Sequence, residues 1–164
     1  MRCAVLSITD TRSAETDESG RILRTRLAEE GHVIAEYRIL RDDPHEIRQQ
    51  LVRLSEDREI HVVITNGGTG ITPHDQTFEA IVSMLEKRLD GFGEIFRYLV
   101  FKNIGASAIL TRAAAGVFRG MVVISLPGSP SFVQLALEKL ILPELGAMTA
   151  LARKGPEPHR SGVH

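Results

Sequence analysis

Three short stretches of this chain leave little choice of architecture. Cys3 to Ile8, Glu59 to Asn66 and Met121 to Leu126 each carry a near-continuous run of apolar, often β-branched residues. They are too short for helices of ordinary length. They also lack the in-out alternation of a strand with one face in water, so each reads as a strand buried on both faces. Such strands need helices above and below them. Between them lie segments with helical spacing: Ile22, Leu23 and Leu27, closed by Gly31; Ile47, Leu51 and Leu54, opened by Asp43 as N-cap and Pro44 at the first helical position; and Phe78, Ile81, Val82, Leu85 and Leu89. A last helix carries Phe132, Leu135, Ala136, Leu140 and Ile141, with Pro143 interrupting it. Val33 to Leu40 alternates, as a strand near a sheet edge would. The sum is a doubly wound α/β sheet, in which ligands bind where loops leave the carboxyl ends of the strands. Three loops qualify: Ser7 to Ser19, Asn66 to Thr77, and Pro127 to Ser131.

The 164 residues suit one domain, read as residues 1–152 with a mobile tail over 153–164. The net charge of −1 gives no field for nucleic acid or an anionic membrane. The one cysteine, Cys3, lies in an apolar run, and no Cys/His cluster suggests zinc. No leader pattern and no apolar run approaching a membrane span is present, so the expected location is the cytoplasm.

Chemistry concentrates in the strand-end loops. Asn66-Gly67-Gly68-Thr69-Gly70 can turn successive N–H groups toward one anion, with Thr69 adding a hydroxyl. It matches neither a P-loop nor a dinucleotide fingerprint, and a plain tight turn explains it as well. Asp75 follows, beside Thr77 and Glu79. One of Asp75 and Thr77 would cap the next helix, and a free carboxylate there could hold Mg²⁺ against phosphate. Asp42, at the end of the second strand, is either a second metal-binding acid or a cap. Gly91 to Arg97 sets Glu94 and Arg97 three residues apart, as a surface pair or part of a lid or subunit contact. Arg112, after Thr111, could grip a phosphate or face solvent. Ser129, after Pro127-Gly128, could donate to an anion or cap a helix. His74 adjoins Asp75, whereas His32, His45 and His61 read as surface positions. Phe92, Phe96, Tyr98, Leu99, Val100 and Phe101 form a stretch too apolar to be freely exposed, which points to a subunit contact.

Taken in order, Ser7 to Arg12, Thr16 to Gly20, Gly67 to Gly70 with Asp75, Gly91 to Arg97, Thr111-Arg112 with Gly116, and Leu126 to Ser129 resemble the MoaB/MogA family of molybdenum-cofactor proteins, from about Arg2 to Leu151. The resemblance implies a three-layer α/β/α sandwich with a mostly parallel central sheet, assembled as a homotrimer or homohexamer. It implies Mg²⁺-dependent transfer of AMP from ATP to the terminal phosphate of molybdopterin, with pyrophosphate released and molybdate then added by a MoeA-type partner. On that analogy Asp42 and Asp75 are the catalytic and metal-binding acids. Gly67, Gly68, Thr69 and Gly70 hold nucleotide phosphates, and Thr111, Arg112, Pro127, Gly128 and Ser129 serve the pterin side. Ser7, Asp10, Asp17, His74, Glu79, Glu94 and Arg97 complete the candidate set. The chain departs from the usual pattern at Asn66, where threonine is common, at His74, where a basic residue is common, and mildly at Thr111. Some relatives are active adenylyltransferases and others bind without turnover, so a non-catalytic molybdopterin carrier is the alternative.

Overall fold

The computed structural model describes residues 1–155. A six-stranded sheet has the order β2-β1-β3-β6-β5-β4, with β1 at Arg2–Ile8, β2 at Val33–Leu40, β3 at Val62–Asn66, β4 at Lys87–Arg88, β5 at Ala114–Phe118 and β6 at Met121–Leu126. The β2, β1, β3 and β6 strands run parallel, and β5 is antiparallel to both of its neighbours. The helices are α1 (Glu18–Glu29), α2 (Pro44–Glu56), α3 (Thr77–Met84), α4 (Asp90–Ile104), α5 (Pro130–Ala136) and α6 (Leu142–Ala152).

The apolar runs work as their composition requires. Cys3, Val5, Val62, Ile64, Val122 and Ile124 pack on one face with residues of α1, α4, α5 and α6. Their alternates Ala4, Leu6, Ile8, Val63 and Val123 pack on the other with residues of α2 and α3. This is the expected three-layer sandwich, and β2 is indeed an edge strand. Asp43 accepts from the N–H groups of His45 and Glu46 with Pro44 in the first turn, and Gly31 closes α1 at φ 81°.

Three local expectations change, and one segment given no element in the sequence forms a strand. The stripe from Phe78 to Leu89 is not one helix: α3 stops at Met84, and the chain runs through β4 before Leu89 opens α4. Gly91 to Arg97 is the first half of α4, a full helix whose two glycines hide it from propensity. Ala113 to Gly116 leads into and forms most of β5, whose small residues let neighbours approach: a Cβ on Gly116 would overlap the Lys87 carbonyl. Finally, Pro143 does not stop the last helix. Residues 137–141 widen into a π turn just ahead of it, which accommodates the missing N–H and the ring, and α6 continues.

The apolar stretch 92–101 also divides. Phe92, Phe96 and Val100 face the core, with Phe96 edge-on to Phe132 at 6.2 Å, whereas Ile95, Tyr98 and Phe101 are more than half exposed. Arg153, at the start of the presumed tail, donates to the Ile60 carbonyl at 2.6 Å. The rest of the tail assignment, from residue 156, lies outside the described residues.

Candidate active site at the carboxyl edge of the sheet

Parallel pairing of β1, β3 and β6 brings their trailing loops together. The Gly67 N–H bonds to the Leu126 carbonyl at 2.9 Å, and Ser19 Oγ reaches the Gly128 carbonyl at 2.7 Å. Gly67 and Gly68 take φ of 92° and 69°, the left-handed side that favours glycine. Packing reinforces the requirement, because a Cβ on Gly67 would strike the Ile8 carbonyl. The loop is therefore a built feature, whether or not a ligand fills it.

The two aspartates flank it. Thr77, at the start of α3 and wholly buried, donates its hydroxyl to Asp42 in a short hydrogen bond. The methyl of Thr77 packs where a Gly68 side chain would begin, 3.0 Å away. Asp42 is therefore tied to the loop and does not cap α2; Asp43 does. The Asp42 N–H bonds to Asp10 Oδ1 at 3.1 Å, adding a third acid to that side. On the other side Asp75 Oδ2 accepts from the Thr72 N–H at 2.8 Å and the Thr72 hydroxyl at 2.6 Å. These bonds hold its carboxyl below the ordinary range. A Cβ on Gly70 would collide with that carboxylate. Neither Asp75 nor Thr77 caps α3, whose N-cap position is Gln76 without a side-chain bond. His74 is exposed beside Asp75.

Arg112 approaches from the start of β5. Because β5 runs backwards, its first residues lie at the same edge as the last residues of β6. Nε of Arg112 donates to the Thr69 carbonyl at 3.0 Å, Nη2 to the Gly70 carbonyl and Nη1 to Glu79, with the guanidinium 4.4 Å from the Phe78 ring centre. Glu79 is held below its ordinary pKa by that bond. Arg112 is thus a clamp on the glycine loop. Next to it opens a cleft of about 420 Å³ lined by Phe78, Arg88, Glu94, Arg97 and Arg112 among others. Glu94 and Arg97 thereby share a cleft with Arg112. Thr111 turns its hydroxyl to the Ala108 carbonyl at 2.7 Å. Ser129 is the N-cap position of α5 but makes no capping bond, pairing instead with Ser131 Oγ at 3.0 Å. Pro127 is buried and Gly128 half-buried.

A buried polar network supports this edge. Asp17, 1% exposed, accepts from Arg12 Nη1 at 2.9 Å, Tyr37 Oη at 2.5 Å and the Gly20 N–H at 3.1 Å. Burial alone would raise its pKa. The hydrogen bonds from Ser7, Tyr37 and Gly20 and the charge of Arg12 outweigh burial and hold it low. Burial and the bond to Asp17 push the Tyr37 hydroxyl up to about 12. Asn66 sits at the centre, donating to Ser7 Oγ at 2.8 Å and accepting from Arg12 Nη1 at 3.3 Å. Asn66 is fully buried in this network. Ser7 and Asp17 are likewise buried in it. Arg12 stood out in the sequence only as part of a motif. The signal that could have found it is Asp17 five positions on, within one loop.

Fold and edge together define an α/β protein with a glycine loop flanked by two aspartates and clamped by arginine. Residues 4–147 match the family model described as "Probable molybdopterin binding domain", and the chain belongs to that family, in its MoaB/MogA branch. It is 47% identical to molybdenum cofactor biosynthesis protein B of Bacillus cereus over 150 residues, covering 91% of this chain and 89% of that one. Identity to the Bacillus subtilis protein of the same name is 44% over 155 residues, covering 94% and 91%. A crystal structure of molybdenum cofactor biosynthesis protein B superposes with TM-score 0.91 at 45% identity, covering 94% of this chain and 97% of the other. The tungsten cofactor synthesizing protein MoaB of Pyrococcus furiosus superposes with TM-score 0.80 at 36% identity, covering 93% and 97%. Among the described residues no helix is long and apolar enough to cross a membrane.

Proposed function

We propose that this protein acts in molybdenum cofactor biosynthesis by binding molybdopterin at the carboxyl edge of the sheet and transferring AMP from ATP to its terminal phosphate. The observation that carries the reading is the placement of two acids on the two flanks of the Gly67–Gly70 loop, Asp42 through Thr77 and Asp75 against Gly70. In the reaction an oxygen of the pterin phosphate attacks the α-phosphorus of ATP. The bond to the β-phosphate bridge breaks, and pyrophosphate leaves. The nucleophile is already ionised at neutral pH, so the protein needs no general base, only positioning and charge neutralisation.

The donor set suits Mg²⁺. Among the described residues no three His, Cys, Asp or Glu converge. Two carboxylates completed by phosphate oxygens and water are the usual way a protein holds this ion. Asp42 and Asp75 would hold it. When bound, it neutralises charge on the phosphates. Amides of Gly67 to Gly70 and the Thr69 hydroxyl orient the nucleotide phosphates. Thr111, Ser129 and the cleft with Glu94 and Arg97 receive the pterin, and a MoeA-type partner takes the adenylylated product.

The carrier alternative rests on the departures at Asn66 and His74. Asn66 is fully buried in internal hydrogen bonds to Ser7 and Arg12, and His74 is exposed beside Asp75. The test is an anaerobic assay with molybdopterin, ATP and Mg²⁺, following adenylylated pterin and pyrophosphate. Product that vanishes in Asp75→Asn supports the enzyme. Molybdopterin binding without product assigns the carrier role.

A further inference from the structure

We infer that Arg12 is the cation that recognises a phosphoryl oxygen of the bound ligand, with Asp17 as its positioning residue. The inference rests on the functional reading above and deepens it. The arginine expected at the phosphate is Arg112, but all three of its side-chain nitrogens are engaged, on the Thr69 and Gly70 carbonyls and on Glu79. Arg12 is placed differently. Its side-chain hydrogen bonds among the described residues leave from Nη1, toward Asp17 and Asn66. Nη2 points to the seam where two strand-end loops meet. It lies 3.2 Å from where a Gly67 Cβ would sit and 3.4 Å from where a Gly128 Cβ would sit. A side chain at either position would crowd this nitrogen. The Arg12 side chain retains 23% of its exposure, whereas the Asp17 side chain has none.

The arrangement is that of a guanidinium anchored on one arm and offered on the other. Asp17 is itself fixed by Tyr37 and Gly20, and Arg24 stacks 3.9 Å over the Tyr37 ring. The rotamer freedom of a long side chain is therefore lost before a ligand arrives, which favours binding. A guanidinium arm between glycine loops suits a tetrahedral oxyanion. The seam joins the loops that would hold nucleotide and pterin, so the phosphoryl oxygen belongs to one of these two ligands.

The test measures anaerobic binding of molybdopterin, of dephosphorylated molybdopterin and of Mg·ATP to the full chain, to Arg12→Gln and to Arg12→Lys. Arg12→Gln should weaken one phosphate-bearing ligand roughly 10- to 100-fold, with dephosphorylated pterin unaffected. Arg12→Lys keeps the charge beside Asp17 but not the fork, so it guards against simple unfolding and should fall between. Loss confined to molybdopterin places Arg12 on the pterin phosphate, and loss confined to Mg·ATP places it on the nucleotide; either supports the assignment. Unchanged affinity for both, or parallel loss for the dephosphorylated pterin, overturns it while leaving the functional reading intact. A wild-type chain that binds neither ligand overturns both.

Discussion

The hydroxyl of Thr77 donates to the carboxylate of Asp42 across 35 positions of sequence, joining the start of α3 to the end of β2 beside the glycine loop. Replacing Thr77 by Val keeps the shape and deletes the donor. Loss of a bond to a charged group costs about 1.5–3 kcal/mol, read as a lowered midpoint in denaturant unfolding. If Asp42 works as proposed, adenylyl transfer also falls through kcat more than KM, and Thr77→Ser restores it. A Val variant with full activity would detach Thr77 from the site.

Two glycines should respond oppositely to alanine. At Gly67, φ of 92° and the Ile8 carbonyl both oppose a side chain, so Gly67→Ala should destabilise by about 3 kcal/mol or more. At Gly91, in the first turn of α4, a Cβ meets nothing within 4 Å. Gly91→Ala should stabilise by about 0.5 kcal/mol. Urea titrations of both variants check the pair.

Asp17 gives the fold an acid limit. Its ordinary pKa is 3.8 and its folded value is lower, so the unfolded chain takes up the proton first as pH drops. The stability Asp17 contributes is complete above the unfolded value and is lost as pH falls through the folded one. At neutral pH Asp17→Asn should cost about 3 kcal/mol, since it leaves a half-buried Arg12 without its anion. Below about pH 4 the two curves of thermal midpoint against pH should converge. Parallel curves would exclude Asp17 as the group responsible.

The outer face of α4 predicts assembly. Ile95, Tyr98 and Phe101 are 51%, 57% and 55% exposed along one helix, and further apolar exposure at Ile109 and Leu110 lies in the turn segment that follows. Such a stripe marks a contact surface, and we propose a homotrimer or homohexamer built on it. Phe101→Glu should shift the sedimentation coefficient to that of the monomer without unfolding the chain. A wild-type chain that is monomeric at micromolar concentration contradicts the proposal.

Much of this molecule was legible from periodicity. The doubly buried strands β1, β3 and β6 and the edge strand β2 follow from runs and alternation that only such environments explain. The loops that gather at one edge follow from parallel topology. What escaped lies where small residues serve close packing and carry no pattern. Glycines at 91 and 93 disguised α4, and a Cβ on Gly93 would overlap the Ala113 carbonyl. Alanines and a glycine disguised β5. For the site, residue types were legible and their assignments to partners were not. Arg112 reads alone as a phosphate ligand, yet the carbonyls that engage it are 42 and 43 positions away. Asn66 reads as a change in ligand chemistry, yet it fills a hydrogen-bonding position that only folding creates.

The reversed direction of β5 has a topological consequence. In a wholly parallel sheet one end of the strands would feed the working rim and the other would only return the chain. Here the chain enters β5 at the working rim, so Arg112, two residues before that strand, is delivered to the glycine loop. The hairpin from β5 to β6 then connects Arg112 to the Leu126–Ser129 loop through only two strands of backbone. The clamp on one loop and the origin of the next therefore belong to one hairpin, with Ala114 paired to Ser125 at the working rim.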